Sequence, residues 1–493
     1  MGNFSPYIGD FIMNVVPVPN SIKYADGFVG NTDNIDSYKV KDESLGDEGY
    51  MLLADETGIK LTAQTDAGLF YALKTLEQLR SDGMIPCVTI KDKPRFSYRG
   101  FMLDSARHMQ SLDEIKRLID AAALLKLNRM HWHLSDDQGF RIECKKFPLL
   151  NEKGSWRESD DFGGTHIEKR YGGYYTHGEI KEIVSYCKER FIEVVPEIDM
   201  PGHTTAIVSA YPELSCRKVQ VPVQTKQGIF EDVLCAGDEK TLEFVYELLD
   251  EIIPLFPCEY FHIGGDEVKY TYWKSCPKCR EKLSELVTVD YAALQGWFTG
   301  RIIEYLKQNG KKPIVWNESL AGDNLPADTV AQMWMDPKKL CARWANRANN
   351  VITSDFYHYY CDYPYFMTPV KKTYTFNPVL KGIAPVMEKS VMGVEAPIWT
   401  EYICDFEKLC YMFFPRLAAV AENGWTKKEK LDYKDFESRF AVITPMLEEI
   451  GIKPAPVSEW NPDPLERLSG TINFFKDKIS IQTLKDGLNA NKK

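Results

Sequence analysis

Two adjacent carboxylates, Asp266 and Glu267, close the segment His262-Ile263-Gly264-Gly265-Asp266-Glu267-Val268. Its apolar lead-in, Glu259 to Ile263, reads as a short buried strand, and two glycines free the backbone just before the acids. Successive side chains of an extended chain point in different directions, so the two acids cannot act alike on one reacting atom. Two separate roles are required. A solvated acidic loop would carry the same pair, because carboxylates are usually surface residues. The other strand ends decide between these readings.

Chemistry-bearing side chains recur wherever a short apolar run stops. Asp104, Arg107 and His108 follow the run 98–103; His133, Asp136 and Asp137 follow 129–134; Glu197, Asp199 and His203 follow 191–198. Later runs end in Trp316 with Asn317 and Glu318, in Trp334, in Tyr359, Tyr360 and Asp362, and in Glu395, Trp399 and Glu401. A lone histidine or tryptophan is more often a core residue than a catalyst or a sugar platform. Joint placement tells against that reading, since structure alone gives little reason for nearly every strand to finish in a carboxylate, an imidazole or an indole. Carboxylates with several tryptophans suit carbohydrate hydrolysis: sugar hydroxyls pair with acids and arginine, and sugar C–H faces lie on rings. Two-carboxylate schemes place the acids about 5 to 9.5 Å apart across the scissile bond. Neighbours on one strand end fit that poorly; they better suit one acid at the leaving oxygen and one steering a group of the substrate itself. A rival ligand set of His133, Asp136, Asp199 and His203 has the donors for a metal-dependent hydrolase. Barrel hydrolases with metals usually present a tight His-x-His pair, and the one here, His131 and His133, puts both on the same strand face, so the metal reading stays open as an alternative.

The elements that must position these residues follow from the rhythm of the chain. From residue 96 a short apolar strand, a loop and a helix repeat, with eight strands over some 330 residues; one helix is opened by the capping box Ser111 to Glu114. This predicts an α/β fold, a closed parallel (β/α)8 TIM barrel over 94–451, whose chemistry belongs to the strand C-termini. Before it, strands at Gly49 to Ala54, Gly58 to Ala63 and Cys87 to Ile90 with a helix at Asp66 to Leu79 predict a small α+β N-terminal domain, 1–93, ending at the charged joint Lys91-Asp92-Lys93-Pro94. Residues 452–493, rich in Pro, Asn, Asp and Lys, predict an irregular C-terminal extension that frays at 489–493.

Bulk properties narrow the partners. The 71 acidic and 60 basic residues give a net charge of −11 without basic blocks, which argues against nucleic acid. No run of 18 apolar residues occurs, and the first apolar stretch, Phe11 to Val18, is broken by Asn14 and Pro17 with no basic segment before it. Neither a membrane span nor a signal peptide is read, and the expected location is the cytoplasm. Twelve scattered cysteines read as reduced, partly buried thiols. Cys276-Pro277-Lys278-Cys279 has metal-knuckle spacing, but no second such pair completes four ligands, and Cys258 is the one candidate to join it. The expectation is therefore no metal and no cofactor.

His262-Ile263-Gly264-Gly265-Asp266-Glu267 closely resembles the signature of the glycoside hydrolase family 20 β-N-acetylhexosaminidases. The likeness extends to Leu103–His108, His131–Arg141, Pro196–His203, Trp399-Thr400-Glu401 and the helix Gly68–Leu79 of the opening domain. The resemblance implies exo-acting, retaining, substrate-assisted hydrolysis of terminal β-linked N-acetylhexosamines from oligosaccharides or glycoconjugates, by a monomer or homodimer. It further implies Glu267 as general acid and base, Asp266 as the acceptor of the acetamido N–H, and Asp136 and His203 as a supporting chain that tunes Glu267 upward. Arg107 would hold the 3- and 4-hydroxyls and Glu401 the 4-hydroxyl, Asp362 the outer hydroxyls, and Trp316, Trp334 and Trp399 would wall the sugar and its acetamide. Tyr360 would bond the acetamide oxygen, with Tyr359 the alternative in that register. Asn317 stands where the family commonly has an acid. A disaccharide-releasing relative and a non-catalytic glycan binder are the other readings.

Overall fold

The computed structural model describes residues 7–8, 11–12, 14–30, 32–81, 83–162, 166–167 and 169–478. Eight strands close a barrel: β6 (Tyr98–Asp104), β7 (Arg129–His133), β8 (Glu193–Glu197), β9 (Tyr260–His262), β10 (Lys312–Trp316), β11 (Val330–Met333), β12 (Val351–Thr353) and β13 (Val391–Ile398). Each pairs in parallel with its chain neighbours, and β13 returns to β6 with Glu395 opposite Gly100. Because helices cover the outside and side chains fill the inside, these strands are buried on both faces; β6 is buried at every position. Every strand predicted for the barrel is present.

The opening section is a five-stranded sheet in the order β1 (Ile22–Phe28), β5 (Pro86–Asp92), β3 (Tyr50–Asp55), β4 (Gly58–Ala63), β2 (Ile35–Lys39). Only β2 and β4 pair in parallel. Helix α1 (Asp66–Leu79), capped by the Thr65 side chain, packs Tyr71, Leu76 and Leu79 against this sheet. Strands β1 and β2 escape the sequence pattern because they are edge strands with largely exposed side chains and no apolar alternation. The joint with the barrel is a buried polar knot: Asp92 accepts from Trp425 Nε1 at 2.8 Å and from Tyr50 Oη at 2.9 Å, beside Lys126 Nζ at 3.5 Å.

Helices α2 (Leu112–Leu124) and α3 (His177–Lys188) both start with capping boxes, at Ser111 with Glu114 and at Thr176 with Glu179. Beyond 452 the expected irregular extension is instead partly regular: a turn at Val457–Glu459 leads into a 15-residue helix, here α4 (Pro464–Lys478). Its Phe474 reaches the active face of the barrel. The predicted fraying at 489–493 lies outside the described residues. No helix among the described residues is long and apolar enough to cross a membrane.

Candidate active site

A cavity of about 380 Å³ opens at the C-terminal ends of the barrel strands, within the size range of small-molecule sites. Arg107, Asp136, His203, Asp266, Glu267, Trp334, Tyr360, Asp362, Trp399 and Glu401 line it. Trp316 alone of the predicted set lies beneath rather than along the wall. It is fully buried, donates from Nε1 to Glu197 Oε1 at 2.8 Å, and supports Trp399 at a ring separation of 6.1 Å.

The acid pair is delivered by a backbone that only glycine permits. Gly264 and Gly265 have φ of 63° and 99°, and a Cβ at the first would lie 1.7 Å from Asp199 Oδ1, at the second 2.1 Å from Ser319 Oγ. Glu267 and His203 also take left-handed φ, 51° and 52°, which costs a non-glycine residue roughly 1–3 kcal/mol. Hydrogen bonds hold these reversals in place: Glu267 N–H donates to Glu318 Oε2 at 3.1 Å, and His203 Nδ1 lies 3.1 Å from Asp136 Oδ1. The turn separates the two acids. Asp266 is buried and its Oδ1 has no hydrogen-bond partner among the described residues, whereas the Glu267 side chain is 28% exposed.

Their electrostatic surroundings differ accordingly. Burial, and after it the Asp199 carboxylate, pushes Asp266 well above the ordinary carboxylate range. Burial by itself would depress His203, but Asp136 and Asp266 outweigh it and hold the imidazole pKa well above normal. Its Nε2 lies 3.5 Å from Glu267 Oε2 and 3.7 Å from Asp266 Oδ2. An imidazolium so placed attracts the Glu267 carboxylate.

Arg107 anchors a cluster of carboxylates. Its guanidinium sits 2.7 Å from Asp136 Oδ2, 3.3 Å from Asp104 Oδ2 and 3.7 Å from Glu401 Oε1, and stacks 5.0 Å from the Trp399 ring. These carboxylates overcome the cost of burial and keep it firmly cationic. Asp136 is held far below its usual range: burial opposes, and Arg107 and His203 prevail. Asp362 is pushed up by burial and then by Glu401, and its Oδ1 has no hydrogen-bond partner among the described residues. The aromatic wall is built from Trp334 and Tyr360, stacked at 6.0 Å and 19°, with Tyr360 6.2 Å from Trp399. Tyr360, not Tyr359, faces the cavity; Tyr359 turns behind the wall onto Phe376.

Several strand-end residues serve elsewhere. Glu395 lies inside the barrel, where it accepts from Tyr98 Oη at 2.7 Å and meets His131 Nδ1 at 2.9 Å. Glu197 is a hub below the floor, touching His131, His133, His262 and Trp316. His133 turns its other nitrogen to Asp136 at 2.8 Å. The rival metal set of His133, Asp136, Asp199 and His203 is thus divided, with the His133 nitrogens engaged by carboxylates and Arg107 seated on Asp136. His108 binds Asp160 at 2.6 Å and ties down a loop. Asn317 bridges strand ends, accepting from Trp334 N–H at 2.9 Å, while its neighbour Glu318 supports Glu267. Gln227, Phe356, Tyr363, Tyr402 and Phe474 also line the cavity and carry no signal in the sequence, since they sit on long loops or the final helix without local pattern.

Fold and site together define a (β/α)8 barrel with a pocket of carboxylates and indoles at the C-terminal ends of its strands, the architecture of barrel glycosidases. Comparison with known proteins specifies this further. Residues 96–428 match the model "Glycosyl hydrolase family 20, catalytic domain" and 22–93 match "Glycosyl hydrolase family 20, domain 2". The chain belongs to glycosyl hydrolase family 20. It is 38% identical over 465 residues to a beta-hexosaminidase of Porphyromonas gingivalis, covering 89% of this chain and 58% of that protein. It is 33% identical over 417 residues to a beta-hexosaminidase of Akkermansia muciniphila, covering 81% and 83%. The chain therefore spans less than two thirds of the first of these relatives. Among solved structures, the exo β-N-acetylglucosaminidase of Vibrio harveyi in complex with N-acetylglucosamine superposes with a TM-score of 0.80 at 30% identity, over 92% of this chain and 81% of that one.

Proposed function

We propose that this protein is an exo-acting β-N-acetylhexosaminidase that removes terminal non-reducing β-linked N-acetylglucosamine or N-acetylgalactosamine with retention, through an oxazolinium intermediate. One observation carries the reading: a buried carboxylate oxygen without a partner among the described residues, Asp266 Oδ1, stands beside a second, partly exposed acid in a pocket lined also by Arg107, Trp334, Tyr360 and Trp399. An acceptor so isolated is suited to a neutral N–H donor on a substrate.

In this mechanism the acetamido carbonyl oxygen of the bound sugar attacks its own anomeric carbon, and the glycosidic C–O bond breaks. Glu267 gives its proton to the leaving oxygen, becoming a carboxylate stabilised by the His203 imidazolium. Asp266 accepts the acetamido N–H, orients the carbonyl and offsets the positive charge of the oxazolinium. Water then attacks the anomeric carbon, Glu267 takes its proton, and the acetamide is restored. Tyr360 and the indoles of Trp334 and Trp399 enclose the acetamide and sugar face. Arg107, Asp362 and Glu401 take the outer hydroxyls, which supports release of one sugar at a time.

The pocket's carboxylates outnumber Arg107 and His203, so the substrate class is neutral N-acetylhexosamine termini of oligosaccharides or glycoconjugates. The cytoplasmic location and a monomeric or homodimeric state belong to the same proposal; twelve cysteines without a disulfide support a reducing compartment. The test is a panel of aryl β-glycosides with a thiazoline mimic of the cyclised intermediate. Rapid hydrolysis of the N-acetylglycosides and strong inhibition are expected; equal activity on the plain glucoside, which lacks the acetamide, would overturn the mechanism.

A further inference from the structure

Away from the catalytic pocket, four cysteines from two barrel loops converge. Cys216 and Cys235 lie in the long loop after β8, side by side because Ser215 and Leu234 form an antiparallel bridge and Cys235 N–H donates to Leu214 O at 2.8 Å. Cys276 and Cys279 lie in the segment after β9. Cys276 is the N-cap of the helix Pro277–Glu285 and Cys279 sits in its first turn. The sulfurs of Cys216 and Cys279, of Cys235 and Cys276, and of Cys235 and Cys279 are each 3.7 Å apart, and all four lie within 4.8 Å of one another. We infer that these four thiolates form a structural zinc site that clamps the third barrel loop to the fourth.

Three features of the geometry support a metal over disulfides. A tetrahedral zinc with bonds of about 2.3 Å places its sulfurs ~3.8 Å apart, whereas a disulfide needs about 2.05 Å. Cys235 is equidistant from Cys276 and Cys279, so the sulfurs form a cluster and not two pairs. The two chain segments approach so closely that a Cβ on Gly237 would lie 2.4 Å from Cys279 N and from Lys278 C and O. Three of the four cysteines are buried, and none of the four lines the catalytic cavity.

The charge is offset locally. Four thiolates on one zinc carry two net negative charges; Lys278 and Lys218, joined through Asp238 at 2.6 and 3.5 Å, leave one net positive charge at the cluster's edge and offset part of this. Cys258, the ligand expected from the sequence to join Cys276 and Cys279, is instead under the barrel at the start of β9, with Tyr260 N–H donating to its sulfur at 3.4 Å. The second pair is hidden in sequence because Cys216 and Cys235 are 19 residues apart and neither has the two-residue spacing of a knuckle.

Metal analysis of the full chain, expressed with zinc supplied and purified without chelator, tests this directly. One zinc per chain is expected. The Cys276→Ser/Cys279→Ser variant should lose it and Cys258→Ser should keep it. Exchange into the native protein by cobalt should give thiolate-to-cobalt charge transfer in the near ultraviolet and intense tetrahedral ligand-field bands. This arm does not depend on a variant folding. Zinc-free protein, iron in place of zinc, two disulfides by mass, or cobalt spectra of six-coordinate oxygen ligation would each overturn the site.

Discussion

Replacing Asp266 with asparagine preserves shape and changes charge, and the structure gives the size of the effect. The carboxylate is buried, Oδ1 has no partner among the described residues, and the nearest cation is His203 Nε2 at 3.7 Å. A positive charge developing about 4 Å away would gain ~4 kcal/mol at the effective dielectric of a partly screened site. Removing one preorganised group of this kind costs about 2.7–4 kcal/mol in other enzymes, or ~10²–10³ in kcat. The amide of the Asp266→Asn variant would in addition turn an N–H toward the acetamido N–H or offer a weaker carbonyl. The loss should fall on kcat more than on KM, because the charge exists only in the transition state. Asp266 is raised by burial and must be ionised to act, so kcat/KM of the parent should fall as pH drops through that raised value, and the variant should lack this acid limb. A carboxylate whose folded pKa is raised destabilises the protein above that pKa, so the variant's Tm at neutral pH should hold or rise. Aryl β-N-acetylglucosaminide kinetics from acid to neutral pH, with melting curves, check all three. A kcat within threefold of the parent, in a folded variant, would refute the role.

Other substitutions separate the parts of the machine. Glu267→Gln should cost about 10²–10⁴ in kcat on poor leaving groups, the span of general acid catalysis, but far less in the first step with a leaving group that needs no proton; equal losses on both would argue against acid transfer. Tyr360→Phe should lower kcat/KM by ~5–100-fold, the worth of a hydrogen bond of about 1–3 kcal/mol, while Tyr359→Phe should leave turnover unchanged because that hydroxyl faces away from the cavity. His131 and His133, raised to about 9 and about 10, face burial, which opposes protonation, and the Glu197, Glu395 and Asp136 carboxylates, which outweigh it. Their stabilisation is full below the unfolded histidine value of about 6.5 and is lost as pH rises to ~10, so Tm should fall over that interval; a flat melting temperature would contradict the charged barrel core.

The sequence makes legible what obeys a period or a capping rule. All eight barrel strands and helix α1 follow from apolar runs and turn residues, and the acids at 266 and 267 follow from the glycines before them. What escapes depends on distance in the chain. Phe474 lies far from any strand end and reaches the pocket only because a helix folds back over Tyr363 and Tyr402. Glu395 reads as a rim residue because the apolar run stops there, whereas β13 continues to Ile398 and buries it. The raised pKa of His203 is not legible at all, since it depends on Asp136 and Asp266 meeting the two nitrogens of one imidazole.

Adjacency of the two acids is therefore a constraint on the backbone as much as on the chemistry. One strand end can serve two points of a single sugar only if the chain reverses between them, and the left-handed φ of Glu267 performs that reversal. His203, on the neighbouring loop, takes the same unfavourable conformation to reach both acids. Two such residues together store several kcal/mol, on the order of 1–3 each, in loops that have no strand to brace them. Hydrogen bonds from Glu318 and Asp136 hold the individual residues, and Gly265 N–H to Asp199 Oδ1 and Trp273 Nε1–H to Leu234 O, each at 2.9 Å, tie one loop to the other. The cysteine cluster adds a further tie: Cys216 and Cys235 belong to the loop of His203, and Cys276 and Cys279 to the loop of Glu267. A zinc there opposes the relaxation that the strained turns favour, so metal loss should loosen the His203 to Glu267 spacing before it unfolds the barrel.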